Sequence, residues 1–287
     1  MKRSNSLRLG IIGHGFVGKA TDFGFSINTE KFIVDPKYKT NISDLAQFKP
    51  AVVFVCVPTP MSSDGKQDSE TVESVVLELK KKCKNAVVII KSTVLPSSIE
   101  KIHKINNKIV YNPEFLREKH AEEDFINSEL VIFGGDRNLS EKASNIYKNN
   151  TICKSKEHIF LDLKTASLAK YAINTFLATK VTFFNELNEL FKQQKSNDTW
   201  EKFIRTLSVD SRIGESHMRV PGHDGRLGFG GACFPKDSNA LVNYAEEQNI
   251  NLSVLKAVIK KNNKIRGSYK SLQERESSQN INYKVRS

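Results

Sequence analysis

LRLGIIGHGFVG, residues 7–18, constrains the fold more than any other stretch of this chain. An apolar run of β character leads directly into Gly13, Gly15 and Gly18, a G-x-G-x-x-G pattern, and helix-forming residues follow. The first glycine permits a tight turn after a strand, and the second lets backbone approach a pyrophosphate. The third allows close packing of helix on strand, and the helix N-terminus attracts the phosphate charge. Alone the pattern is weak. Its context here is right, because Asp35 falls 20 residues after Gly15, at the end of the next apolar run, KFIVD. A carboxylate there accepts bonds from both ribose hydroxyls and repels a 2′-phosphate, which favours NAD over NADP. Lys37 is the nearby feature that would suit NADP. The plainer alternative is a glycine turn without a ligand, with Asp35 as an ordinary turn residue.

The rest of the first half repeats the same unit. Strand candidates are residues 7–13, 31–35, 51–57, 86–91, 108–112 and 130–135, separated by segments long enough for crossover helices. Nearly continuous Val/Ile runs such as AVVFVCV suit strands buried on both faces. The predicted fold is therefore α/β, with an N-terminal Rossmann-type, doubly wound parallel sheet over residues 1–155. Beyond it, residues 161–194 contain no Gly or Pro, and Ile173, Leu177, Val181, Phe184, Leu187 and Phe191 recur at spacings of three and four. That predicts one long amphipathic helix. A shorter helix around 198–207, a Gly/Pro-rich loop over 214–231 and a helical stretch over 235–264 complete an α-helical domain of residues 156–266. Residues 267–287 are polar and are expected to be a frayed or loosely docked tail.

Composition removes several classes. Hydrophobic content of 39% and charged content of 26% describe an ordinary globular chain. No apolar run approaches the roughly 20 residues a spanning helix needs, so no membrane partner is expected. The opening MKRSNSLRLGII lacks the long apolar segment of a signal peptide, which makes the cytoplasm the expected location. The net charge of +12 favours anionic partners. The lysines are scattered and no nucleic-acid motif is visible, so nucleic acid is not expected. Four cysteines (Cys56, Cys83, Cys153 and Cys233) form no C-x-x-C pair, and neither a metal site nor a disulfide framework is expected. Cys56 reads as core, and Cys83 and Cys153, in lysine-rich surroundings, as incidental.

Cys233 has a different neighbourhood, GFGGACFPKD (228–237). Pro235 suits the first turn of a helix, which puts Cys233 just ahead of a helix N-terminus, where partial positive charge favours a thiolate. Lys236 adds a cation, and Asp237, four residues on, faces the same side if the turn is helical. A thiolate adds to an aldehyde to give a thiohemiacetal, from which a second hydride leaves to yield a thioester. Ordinary alcohol dehydrogenation needs no such cysteine. A small buried residue in a structural turn is the competing reading.

Taken in order, GHGFVG (13–18), VCVPTP (55–60), KSTV (91–94), NPEFLRE (112–118), AKYAINTFLA (169–178), DSRIG (210–214) and GFGGACFPKD (228–237) resemble the UDP-glucose/GDP-mannose dehydrogenase family across roughly residues 7–265. These enzymes oxidise a nucleotide-sugar alcohol to a carboxylate with two NAD. The resemblance implies Cys233 as nucleophile, with Lys170 and Asn174 stabilising the oxyanion; their spacing of four places them on one helix face. Asp237 and Thr93 are implied to hold a catalytic water, which with Lys170 accepts the first proton. Glu114 is implied as the base for thioester hydrolysis. Phe16, Val17, Thr59, Thr93, Glu118 and Lys236 join Gly13, Gly15, Gly18 and Asp35 around the cofactor. Phe115, Leu116, Phe229 and Gly230 join Glu114, Lys170, Asn174 and Cys233 around the sugar. Arg212 is implied to reach substrate phosphate across a homodimer interface formed by the helix at 161–194. Read without the family, Lys170 is a solvated lysine, NPEFLRE a helix start and Arg212 a surface ion-pair partner.

Two departures follow from the same comparison. The family's enzymes continue into a further α/β domain that helps to bind the nucleotide, and a form without that domain is expected here. The segment 215–227 is longer than the usual link, and its His217, Arg219, His223 and Arg226 are expected to contact phosphates instead. The leading substrate is UDP-glucose, giving UDP-glucuronate. GDP-mannose or a UDP-N-acetylhexosamine is the alternative, because the motifs surround C6 and not the base. A non-catalytic NAD-binding dimer is the reading of a different class.

Overall fold

The structure, a computed structural model, describes residues 6–62, 64–155 and 157–283. The chain forms two compact units, Met1–Thr59 with Asp68–Lys170 and Pro60–Gln67 with Tyr171–Ser287.

Among the described residues the first unit has seven strands: β1 (Leu7–Ile12), β2 (Thr29–Val34), β3 (Val52–Val55), β4 (Val87–Ile90), β5 (Ile109–Tyr111), β6 (Val131–Gly135) and β7 (His158–Leu161). Their order in the sheet is β2-β1-β3-β4-β5-β6-β7. Helices α1 (Phe16–Gly24), α2 (Ile42–Phe48), α3 (Glu70–Lys82), α4 (Pro96–Ile105), α5 (Ala121–Ile126) and α6 (Arg137–Asn150) connect the strands. Alternation along β3 and β4 explains why both faces need cover. Val53, Val55, Val88 and Ile90 join one core with Leu45, Val76, Leu79 and Ile99. Val52, Phe54, Val87 and Ile89 join the other with Phe25, Ala143 and Tyr147. A strand with no polar face is stable only between two layers of helix.

The sheet departs from the expected all-parallel arrangement. β2-β1-β3-β4-β5 is parallel throughout, but β6 runs antiparallel to β5, and β7 is parallel to β6. An apolar run buried on both faces reads the same in either direction, and reversed edge strands on parallel sheets are common. β7 itself falls outside the expected strands. It is short and only half-buried, so it leaves no long apolar run. It also carries the first unit past the expected boundary at residue 155.

Helix α7 (Leu163–Gln193) is one uninterrupted 31-residue helix, as the absence of Gly and Pro predicts. Its first turns, up to Lys170, belong to the first unit, where Ala166 lies in the core and Ser167 Oγ donates to the Val94 carbonyl at 2.6 Å.

The second unit takes the remainder of α7 with α8 (Trp200–Ser208), α9 (Phe234–Glu247), α10 (Ser253–Arg266) and α11 (Glu274–Ser278). Helix α8 packs on α7 through Trp200 and Phe203 against Phe184 and Phe191. The stretch expected as one helix over 235–264 is two, parted where Asn249 takes a φ of +59°. The tail is also corrected. Ile281 and Tyr283 bury against Met61, the Met61 amide donates to the Gln279 carbonyl at 3.3 Å, and Asn280 Nδ2 donates to the Met61 carbonyl at 3.2 Å. Glu276, in the middle of this polar segment, is fully buried. Polar composition implies solvation only while polar groups lack partners inside the fold, and here they have them.

Candidate active site

At the C-terminal end of β1 the chain turns through Gly13 at φ +86°, and a Cβ there would lie 2.8 Å from the Cys56 carbonyl oxygen. A Cβ on Gly18 would overlap the Gly13 carbonyl, whereas one on Gly15 would meet nothing within 4 Å. Two glycines therefore fix the turn, and the middle one opens its surface. Helix α1 begins here with no side-chain cap and no acidic residue in its first turn, an environment suited to a phosphate anion. The Asp35 carboxylate is pinned beside the turn. Its Oδ2 accepts from the His14 amide at 2.7 Å and its Oδ1 from the Lys37 amide at 2.9 Å. Burial pushes this carboxyl up, but those two bonds and the neighbouring His14 and Lys37 outweigh it and hold Asp35 below the usual range. A carboxylate has about four acceptor positions, which leaves capacity for ribose hydroxyls. The strand order reverses between β1 and β3, the crevice where open α/β sheets bind ligands. These residues fit a dinucleotide.

Also within the first unit, Lys170 is buried against Glu114. Its Nζ donates to the Glu114 main-chain carbonyl and lies 3.4 Å from Glu114 Oε1, with the Phe115 ring 5.0 Å beneath it. Glu114 Oε2 accepts from the Leu116 amide at 2.6 Å. The solvated reading of Lys170 is thus excluded. Residues 112–117 are irregular and not helical, so Glu114 and the exposed Glu118 are not stacked one turn apart. An unforeseen network supports this segment from below. Lys91 Nζ donates to Asn112 Oδ1 at 2.8 Å and to the Tyr147 hydroxyl at 3.0 Å. That hydroxyl donates to the same Asn112 oxygen, and Asn112 Nδ2 donates to the Ile132 carbonyl. Burial pushes Lys91 down to about 8 and the Cys56 thiol up to about 12.

In the second unit Cys233 occupies the N-cap position of α9, and its carbonyl accepts from the Asp237 amide at 2.8 Å. Pro235 stands in the first turn, as predicted. Asp237 is buried and binds two donors, Lys236 Nζ to Oδ1 at 2.6 Å and Asn174 Nδ2 to Oδ2 at 2.6 Å. Cys233 is partly exposed. A thiol at a helix N-terminus, a buried ion pair one turn below and an amide from another helix form a cluster suited to nucleophilic chemistry.

Two models of one family match the chain in sequence order. Residues 37–151 match the NAD binding domain of the UDP-glucose/GDP-mannose dehydrogenase family, and residues 164–264 match its central domain. The chain belongs to this family. The UDP-glucose 6-dehydrogenase of Rickettsia felis is 34% identical over 230 residues, covering 78% of this chain and 50% of that protein. The UDP-glucose 6-dehydrogenase TuaD of Bacillus subtilis is 30% identical over 254 residues, covering 85% and 53%. The UDP-glucose dehydrogenase structure from Pyrobaculum islandicum superposes with a TM-score of 0.76 at 25% identity, covering 91% of this chain and 69% of that one. The chain therefore spans about half the length of the curated relatives it matches. Its first unit is the family's NAD-binding domain, and NAD is the cofactor that goes with it. Among the described residues, no helix is long and apolar enough to cross a membrane.

The remaining expected residues of this family member fall in varied settings. Thr59 is buried, while Thr93, Phe16 and Val17 are partly buried in the first unit. Phe115 and Leu116 pack against its two cores. The Phe229 ring is buried with Ala178 and Val258, and its amide and carbonyl both bond the Asn262 side chain. Arg212 is exposed and pairs with Asp210 at 2.5 Å. In the 215–227 segment, Arg226 is turned inward, donating to the Ser271 carbonyl at 2.8 Å and covering the Tyr269 ring. His217 packs on Phe234, leaving Arg219 and His223 as the exposed basic residues of the four. Cys83, expected to be incidental, is buried in the core. Lys91 stands inside the quoted KSTV motif without an expected role; a lysine ending a buried Val/Ile run was the available signal.

Proposed function

We propose that this chain oxidises the C6 alcohol of a nucleotide sugar to a carboxylate in two hydride transfers, with UDP-glucose as substrate and UDP-glucuronate as product. The observation that carries this reading is Asp237, buried one helical turn from Cys233 and bonded to both Lys236 and Asn174. Simple alcohol oxidation has no use for a thiol backed by such a cluster.

NAD, when bound at the glycine turn, supplies the hydride acceptor for both oxidations. The chain's own groups handle protons and the covalent bond. Asp237 and Thr93 hold a water that takes the C6 hydroxyl proton as the first hydride leaves. The Cys233 thiolate then forms an S–C6 bond to the aldehyde, and Lys170 and Asn174 stabilise the resulting oxyanion through donated hydrogen bonds. After the second hydride leaves, the thioester carbon is attacked by water whose proton passes to Glu114. The C–S bond breaks, freeing the carboxylate and the thiol. Glu114 Oε1 lies 3.4 Å from Lys170 Nζ, so the proposed base and the proposed oxyanion stabiliser share one place.

The assembly we propose is a homodimer through α7. Phe176, Phe183 and Leu190 are 65%, 57% and 56% exposed at seven-residue intervals. Such an apolar stripe on one long helix suits burial against a second copy.

Purified protein incubated with NAD and UDP-glucose, GDP-mannose or a UDP-N-acetylhexosamine tests the reading. UDP-glucose is expected to give two NADH per sugar, and Cys233→Ala to abolish carboxylate formation. One NADH per sugar with free aldehyde would overturn the thioester route, and no NADH from any sugar would favour a non-catalytic NAD-binding dimer.

A further inference from the structure

Glu276 lies beyond the part of the chain that the central-domain family model matches, which ends at residue 264. It is nonetheless fully buried. Its Oε1 accepts from the Gly231 amide at 3.1 Å and from the Tyr283 hydroxyl at 2.7 Å, and its Oε2 accepts from the Gln273 amide at 2.8 Å. Arg266, also buried, faces it with Nη1 at 4.0 Å from Oε1. The same guanidinium donates through Nη2 to the Gly228 carbonyl at 3.1 Å and to Asp224 Oδ2 at 2.7 Å. A Cβ on Gly230 would lie 2.5 Å from both Arg266 Nη2 and Glu276 Oε1. The turn is thus seated directly on this buried pair, and only glycine allows the approach. A buried carboxylate that accepts three hydrogen bonds and faces a guanidinium is held in place, although Arg266 Nε and Nη1 make no hydrogen bond among the described residues.

We propose that Glu276 is a positioning residue for Cys233: its carboxylate, seated on Arg266, holds the Gly228–Gly231 turn that delivers the cysteine to the start of α9. Only Ala232 stands between Gly231, whose amide is bonded, and Cys233, so freedom at the turn is freedom at the sulfur. The proposal rests on the reading of Cys233 as nucleophile. It gives the polar segment after α10 a task in the active site.

The test is thiol chemistry on the full chain. Wild type, Glu276→Gln, Glu276→Ala and Tyr283→Phe are alkylated with iodoacetamide across a pH series, and modification of Cys233 and of Cys153 is followed by peptide mass. Glu276→Gln preserves volume but removes the charge and one acceptor. We expect Cys233 to be modified about tenfold faster in this variant, as for loss of one charge-assisted bond holding the turn. Cys153, in the other unit, stays at its wild-type rate. Tyr283→Phe gives a smaller rise in the same direction and carries the test if Glu276→Ala does not fold. An unchanged Cys233 rate in folded Glu276→Gln overturns the proposal, as does an equal rise at Cys153, which would mean general loosening. No turnover is needed for this measurement. Failure of sugar oxidation would therefore sink the functional reading without affecting this result.

Discussion

Asn174 Nδ2 donates to Asp237 Oδ2 across 2.6 Å, joining α7 to α9 although the two residues lie 63 positions apart. The opposite oxygen of the same carboxylate holds Lys236 Nζ, and all three side chains are buried. Asp237→Ala should therefore strand a buried ammonium and destabilise the protein by about 3–5 kcal/mol, the usual result of removing one partner of a buried ion pair. Asp237→Asn retains one acceptor and should lose less. Urea unfolding of both variants checks the order, and equal losses would mean that packing, not charge, governs the cluster.

Gly15 and Gly18 separate cofactor contact from folding. Alanine at Gly15 meets no neighbour within 4 Å, so stability should stay within about 0.5 kcal/mol of wild type. NAD binding should nevertheless weaken about tenfold or more, because the new methyl occupies the open surface of the turn. Alanine at Gly18 overlaps the Gly13 carbonyl and should lower both melting temperature and NAD affinity. Thermal melts paired with NAD titration by calorimetry distinguish the two.

Asp35 is expected to select NAD over NADP through charge. Its two oxygens are already anchored by the His14 and Lys37 amides, so the carboxylate stands at a fixed place. Asp35→Asn removes the repulsion toward a 2′-phosphate while keeping one anchoring acceptor. The ratio of NADP to NAD affinity should rise by about tenfold, roughly 1.4 kcal/mol. Parallel titrations with the two cofactors measure it, and an unchanged ratio would remove Asp35 from cofactor selection.

Lys91 gives stability a pH signature. Burial holds it at about 8 against an ordinary 10.5. Between these values the unfolded chain binds the proton more fully than the folded one, so this site's contribution to stability rises with pH. Below about pH 8 both states carry the proton and the penalty is constant. The stability of wild type relative to Lys91→Met should therefore climb between about pH 8 and 10.5, by up to ~1.4 kcal/mol per pH unit. Cys56, pushed up by burial to about 12 and pulled down by Lys91, acts in the opposite sense, so the comparison is made in a Cys56→Ala background. A flat difference across this window would show that Lys91 titrates normally.

Much of the first unit was legible residue by residue. Gly13, Gly15, Gly18 and Asp35 were readable because each serves a local backbone or strand-end requirement. The 31-residue α7 followed from its apolar spacing and its lack of Gly and Pro. Cys233 at a helix start was readable from Pro235 alone. Lys170 was legible only through the family resemblance: without it, it reads as a solvated lysine, and its burial is against Glu114, 56 residues away. Arg226 failed in the opposite way. A basic loop residue suggests a phosphate, but Tyr269 and Ser271 take up this side chain.

By itself, then, the order of residues determined most of the strands and the long helix α7, where the glycine turn lies and which cysteine begins a helix. These depend on φ/ψ preference and on apolar period, which act over a few neighbours. Tertiary structure alone decided that β6 and β7 reverse direction, that Lys91 closes on Asn112 and Tyr147, and that Glu276 is buried against the Gly231 amide. Each of those outcomes is set by a partner distant in sequence, because a buried polar group or a paired edge is stable only with the particular neighbour that folding brings to it.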